Sequence, residues 1–247
     1  MKNYDEVVRE RYDKEKFNET ILQNVYSYIN DVGYYGAREI SNLLRTYVRF
    51  LLDSNKEMND LNILDVGCGN GYITRCLAEI LNNPQQVYGF DFSKSRVTNC
   101  QKMNPNINYK HGNVVEAFGY NIKFDGISSF DVFMHLKDEK DILAGLRNIK
   151  DSLSRDGIFL WYEVNAKSHF DNINDNSDGA GYSEYEMDNY AKQVGLELVF
   201  AGGRYRNYPL VGSSYYYMSN KTHYLLELLD KLPLLPRTIN YRFYKNT

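Results

Sequence analysis

The sequence predicts an α/β fold: a seven-stranded, mostly parallel sheet with helices on both faces, an N-terminal helical cap and a late insertion. Three observations predict it. Short apolar runs of strand length alternate with stretches whose apolar residues recur at three- and four-residue steps, the rhythm of βαβ units. The first such strand runs into glycines at 67, 69 and 71 and then into a helical pattern. The chain of 247 residues, 43% hydrophobic and 25% charged, can bury one large core and shows no repeat or linker.

The elements follow in order. Up to residue 55 the pattern is helical and forms the cap. Val7, Val8, Tyr12, Ile21, Leu22, Val25, Tyr26 and Ile29 mark a first stretch. Gly33-Tyr34-Tyr35-Gly36 is expected to break it, and Ile40, Leu43, Leu44, Tyr47, Val48 and Leu51 to share one face of a second helix. A core over 61–202 carries strands at 61–66, 86–91, 107–110, 124–130, 157–164 and 196–201. Helices are expected between them, with Ser93 as an N-cap and Ser154 to Gly157 as a turn before the fifth strand. Residues 203–237 form an insertion on the acceptor side, and 238–247 hold a final strand at the sheet edge. The whole is one domain.

Composition excludes several classes. The formal charge of −3 and pI near 5.9 argue against broad nucleic-acid binding, which needs many cations to neutralise phosphates. No apolar run reaches the roughly 18 residues of a membrane span, and the charged first residues do not read as a secretory signal. Cys68, Cys76 and Cys100 have no metal-ligand spacing, so a reducing cytoplasm is the simplest setting.

The strongest motif is Asp65-Val66-Gly67-Cys68-Gly69-Asn70-Gly71. In open parallel sheets ligands bind beyond the carboxyl ends of the strands. A dinucleotide site would need Gly-x-Gly-x-x-Gly, but Tyr72 stands where the third glycine belongs. Asp65 would also repel a pyrophosphate while suiting an ammonium group. The segment resembles the first motif of class I, Rossmann-like, S-adenosylmethionine-dependent methyltransferases of the small-molecule type. Further marks follow in the family's order. Asp91 ends the second strand, where the family grips ribose hydroxyls, and Phe92 stands where it packs on adenine. Gly112-Asn113-Val114 replaces the commoner Gly-Asp-Ala beside the adenine amino group. The stretch through Ser128-Ser129-Phe130 to His135-Leu136 resembles the fourth mark.

The resemblance covers residues 61–164 well and the tail weakly. It implies S-adenosylmethionine as cofactor, S-adenosylhomocysteine as product and no metal. Cofactor contacts are expected from Tyr12, Arg38, Asp65, Gly67, Cys68, Gly69, Gly71, Asp91, Phe92, Asn113, Val114 and Ser129. Methyl transfer requires alignment of the acceptor and exclusion of water, with a general base where the nucleophile is a neutral hydroxyl. His135, Glu163 and Tyr162, all near the carboxyl edge, are the catalytic candidates. Arg204, Arg206, Tyr208 and His223 are the acceptor-binding candidates. With Arg237 and Arg242, the arginines suggest a wall for an anionic group.

The expected reaction moves a methyl group to an oxygen or nitrogen of a small polar acceptor, such as a sugar, a sugar phosphate or a phosphorylated capsule or surface-polysaccharide precursor. A nucleic-acid methyltransferase and a non-catalytic S-adenosylmethionine-binding protein stay open as alternatives. The expected partners are a small molecule but neither nucleic acid nor membrane, and the chain is expected as monomer or homodimer.

Overall fold

A computed structural model describes residues 31–53, 56–136, 138–164, 182–204 and 239–247. Seven strands form one sheet: β1 (Ile63–Val66), β2 (Val87–Asp91), β3 (Asn108–His111), β4 (Phe124–Phe130), β5 (Leu153–Val164), β6 (Leu196–Arg204) and β7 (Ile239–Asn246). Among the described residues five helices accompany them: α1 (Asp31–Leu52), α2 (Tyr72–Leu81), α3 (Lys94–Met103), α4 (Glu139–Ser152) and α5 (Glu184–Gln193). The strand order is β3-β2-β1-β4-β5-β7-β6. β7 runs antiparallel to both its neighbours, and the other pairings are parallel.

Each sheet face has its own core, because successive strand residues point to opposite sides. Leu64, Ile127, Phe159, Trp161 and Tyr244 face α4 and α5, where Ile142, Leu146, Ile149, Met187 and Ala191 cover them. Ile63, Val87, Ile158, Leu160 and Phe243 face α1 and α2, where Leu44, Tyr47, Val48, Leu51, Ile73 and Leu77 cover them. Burying each large apolar side chain contributes about 1.5–3 kcal/mol. Tyr47 does more than fill space. Its hydroxyl reaches the carbonyl oxygens of Ile127 (3.2 Å) and Ile158 (2.8 Å), bridging β4 and β5. A Cβ on Gly126 would lie 2.4 Å from that hydroxyl, so β4 needs glycine beneath the ring.

Three expectations change. Gly33 and Gly36 do not break the helix, for α1 runs through both. Each glycine costs roughly 1 kcal/mol in a helix interior, and the buried stripe from Leu44 to Leu51 offsets that. The same stripe makes the described part of the cap a layer of the sheet's own packing. The expected turn Ser154 to Gly157 lies within β5 as an irregularity: Leu153 pairs with Phe124 and Ile158 with Gly126, with Asp156 left-handed between them. Finally, the strand in 238–247 is not at the edge. β7 inserts between β5 and β6, leaving β6 and β3 outermost. Its alternating Phe243 and Tyr244, both fully buried, supply a side chain to each core, which an outermost strand has less need to do. Other elements match closely: α3 begins after Ser93, whose hydroxyl accepts from the Arg96 N–H (3.4 Å), and β4 spans Phe124 to Phe130 as expected.

Candidate functional site

The glycine loop lies beyond the carboxyl end of β1, where the sheet order turns: β2 follows on one side and β4 on the other. Gly67, Gly69 and Gly71 all have positive φ, at 74°, 51° and 76°. They need glycine for different reasons. A Cβ on Gly67 would sit 2.1 Å from Val132 Cγ2, and one on Gly71 2.9 Å from the Tyr109 hydroxyl and 3.0 Å from Cys100 Sγ. These two pack against the protein. At Gly69 the nearest atom to an added Cβ is Arg96 Nη1 at 3.4 Å, so that backbone has room beside it. Gly71 begins α2 with no side-chain cap, which leaves first-turn N–H groups for another acceptor.

Two carboxylates hold the loop. Asp91 Oδ2 accepts from the Gly69 N–H (2.7 Å) and Oδ1 from the Ser93 N–H (2.8 Å), tying β1's loop to the turn after β2. Its burial raises the carboxyl's pKa, and those two backbone bonds pull the other way. Asp65 is 1% exposed, and its oxygens accept from the Thr74 hydroxyl (2.7 Å) and the Ser128 hydroxyl (3.1 Å). Burial pushes it up to about 7. In this structure Asp65 braces the loop from within, joining β1 to α2 and β4. Cys68 is likewise turned inward, beside Cys100, Val97 and Tyr109.

The adenine-side candidates surround the same edge. Phe92 is half-buried, and its carbonyl lies 3.0 Å from His111 Nε2. Asn113 Oδ1 accepts from the Val115 N–H (3.3 Å), and Val114 is core, its carbonyl taken by the Asn148 amide. Ser129 is buried on the α4 and α5 side, level with Trp161, and its hydroxyl has no partner. It therefore lies beneath the edge and not on it.

Tyr162 and Glu163 are consecutive on β5, so they point to opposite faces. Tyr162 packs on Phe130, ring centroids 4.7 Å apart. Glu163 is 0% exposed, and its Oε1 accepts from the Met134 N–H (3.0 Å). Burial raises it to about 8; the nearby Asp131 charge adds to this, and the N–H groups of Met134 and Phe133 oppose it. Glu163 thus holds the 3-10 turn Phe133–His135, which carries the half-buried His135 at the edge after β4. It is linked to His135 through the backbone of that turn.

Arg38 is half-buried on α1. Arg204 ends β6, and its side chain lies outside the described residues. Tyr12, Arg206, Tyr208, His223 and Arg237 lie outside them entirely. Arg242 leaves the expected anion wall: it is buried, paired with Glu184 and 3.4 Å from Asp188 on α5. Sequence reading missed Thr74, Asn240 and Asp131. Asn240 faces Glu163 across the β5–β7 pair, fully buried, with neither side-chain amide atom hydrogen-bonded. A polar residue in a strand whose next residues are Tyr-Arg-Phe-Tyr carries no local sign of that partner.

A family profile described as a methyltransferase domain matches residues 57–226, more than half of the chain. Over 99 residues the chain is 26% identical to a probable S-adenosylmethionine-dependent methyltransferase of Mycolicibacterium smegmatis, covering 40% of this chain and 36% of that protein. Over 106 residues it is 31% identical to a mitochondrial ubiquinone biosynthesis O-methyltransferase of Dictyostelium discoideum, covering 37% of this chain and 32% of that protein. The chain thus spans about a third of the length of these curated relatives. Among solved structures, magnesium protoporphyrin IX methyltransferase from Synechocystis with bound S-adenosylmethionine superposes with a TM-score of 0.63. That match covers 100% of this chain and 99% of the other at 12% identity, a likeness of fold.

Proposed function

The chain belongs to the methyltransferase domain family, and from that premise we propose that it is an enzyme that moves a methyl group from S-adenosylmethionine to a small polar acceptor. One observation carries the reading. The Gly69 N–H to Asp91 bond brings a carboxylate at the end of β2 against the one loop glycine with room beside it, at the sheet's switch point. A carboxylate there suits a ribose diol, and a backbone without Cβ suits close approach of a ligand.

In this reading Asp91 accepts from the ribose hydroxyls, and Phe92 and Asn113 flank the adenine. The uncapped start of α2 and the glycine backbone meet the amino-acid end, with Arg38 and Tyr12 as further contacts. The cofactor supplies a methyl group already activated on a sulfonium. His135 stands at the acceptor side as the candidate base. Arg204, Arg206, Tyr208 and His223 hold an anionic handle on the acceptor, which makes a sugar phosphate or a phosphorylated surface-polysaccharide precursor the class to screen first, with transfer to a hydroxyl. The free thiols of Cys68, Cys76 and Cys100 fit a reducing cytoplasm.

Calorimetry with S-adenosylhomocysteine and, separately, NAD tests the cofactor. Binding of the first alone is expected, and binding of NAD alone would overturn the reading. Once an acceptor turns over, Arg204→Ala, Arg206→Ala and Arg237→Ala should raise its KM; an unchanged KM removes the anionic handle.

A further inference from the structure

Two buried thiols meet at the glycine loop. Cys68 lies inside the loop, between Gly67 and Gly69, and Cys100 lies on α3. Their side chains share a third, smaller core with Val97, Ile107 and Tyr109. Cys68 hydrogen-bonds Cys100. Cys100 in turn donates its S–H to the Gly69 carbonyl oxygen (3.4 Å). The third thiol, Cys76, is turned elsewhere: it packs on the core that holds Ile73 and Leu77.

Both sulfurs are fitted against bare backbone. A Cβ on Gly89 would sit 3.1 Å from Cys68 Sγ, and one on Gly71 3.0 Å from Cys100 Sγ. A disulfide draws two sulfurs closer than any contact between thiols, and it consumes both S–H groups. The Gly69 carbonyl would then lose its donor, and the loop would be tied to α3. The same Gly69 carries the N–H bonded to Asp91 (2.7 Å), on which the cofactor reading rests. The two thiols also differ in readiness. The hydrogen bond from Cys68 lowers the pKa of Cys100, burial opposes this, and the Arg75 charge adds to it. The same bond, with burial, raises Cys68 well above the ordinary value. A thiol inclined to ionise beside a second thiol is the arrangement in which a sulfenic acid is captured as a disulfide.

We propose that Cys68 and Cys100 are a redox-sensitive dithiol, which a peroxide converts to a disulfide that weakens cofactor binding. The effect on binding rests on the proposed cofactor; the disulfide itself does not. Burial of the pair favours a small oxidant, hence a peroxide. In the first step the Cys100 thiolate attacks one oxygen of hydrogen peroxide and the O–O bond breaks. Cys100 becomes a sulfenic acid, and the departing hydroxide takes the thiol's proton and leaves as water. The Cys68 sulfur then attacks the Cys100 sulfur, the S–O bond breaks, and a second water leaves with the Cys68 proton. Two thiols have lost two electrons and two protons, and one peroxide has become two waters. In a reducing setting the dithiol is the resting state, to which a thiol reductant returns the chain.

The test treats the full chain with hydrogen peroxide. Peptide mapping without reductant should find Cys68 joined to Cys100 and Cys76 outside the bond. Calorimetry should show S-adenosylhomocysteine bound about tenfold more weakly after oxidation, within the usual range of coupling between sites. Dithiothreitol should restore the affinity. In a dithiothreitol redox buffer, saturating S-adenosylhomocysteine should favour the dithiol, because such coupling is reciprocal. Cys100→Ser keeps a hydroxyl for the Gly69 carbonyl but cannot form the bond, so peroxide should change its affinity by less than about twofold. Cys100→Ala should behave the same way, while Cys76→Ser should respond as the wild type does. Thiols that oxidise without joining, a joined pair with unchanged affinity, or an equal loss in the Cys100 variants would each overturn the proposal. A reduced chain that does not bind S-adenosylhomocysteine would instead sink the cofactor reading, and the effect on binding with it, while the peptide map still decides the disulfide.

Discussion

Asp91 and Glu163 stand near the carboxyl ends of two strands of one sheet, in opposite surroundings. Asp91 closes β2, and both its oxygens take backbone N–H groups from the loop and turn beside it. Glu163 lies in β5, fully buried, with one oxygen on the Met134 N–H and the other without a well-formed hydrogen bond among the described residues. The β1–β3 half of the sheet is organised by the backbone of one short loop. The β5–β7 half is organised by side chains from distant segments: Asn240 opposite Glu163, and Arg242 on the acids of α5. A binding site built on a local loop and a scaffold built on long-range pairs should answer to mutation differently.

The largest expected effect falls on the loop. Gly67→Ala combines a left-handed residue with a methyl 2.1 Å from Val132. It should cost roughly 2–5 kcal/mol of stability and abolish S-adenosylhomocysteine binding, as read by urea unfolding and calorimetry. Next, Asp91→Ala should weaken that ligand by about 1.5–3 kcal/mol, the range for hydrogen bonds to a charged group. Unchanged affinity would mean that the ribose site lies elsewhere. On the other half, Arg242→Met should lower stability by about 1–2 kcal/mol, a figure discounted because Glu184 and Asp188 are partly exposed. Affinity for S-adenosylhomocysteine should stay within twofold, and a large loss would join the two halves into one site.

The smallest effect concerns pH. Glu163 binds its proton up to about pH 8 when folded, against an ordinary value of 4.5. Between those values the folded chain holds a proton that the unfolded chain has lost, so stability is fullest below 4.5 and falls as pH rises through 8. Asp65 acts in the same direction between 3.8 and about 7. Glu163→Gln should remove its share, making the variant's loss between pH 6.5 and 7.5 smaller by about 1 kcal/mol. Parallel stability curves for the two proteins would show that Glu163 is already ionised in the fold.

The same contrast explains what could be read from sequence. The glycine loop, Asp91 and the Ser93 cap each depend on neighbours a few residues away, and their spacing announces them. β4 and α3 are bounded by local pattern and were expected where they lie. The place of β7 was not readable, because its periodicity shows that it is a strand but not which strands flank it. The inward turn of Glu163 follows from strand alternation only once the pairing is known. Asp131 gives no local hint of positive φ, which its contacts with Tyr162 and the Gly67–Val132 packing impose.

The position of β7 has a consequence for the order of events during synthesis. β6 is made before β7 yet touches the rest of the sheet only through it. Leu196 to Arg204 therefore cannot join the sheet until residues 239–246 have left the ribosome. Ile158 then finds Lys245 across 87 positions of chain, and loop closure over that distance is paid before any contact rewards it. Helices α1 to α4 and strands β1 to β5 can assemble while the chain is still growing. The last two strands lock in together, as a late step whose rate the β7 residues set.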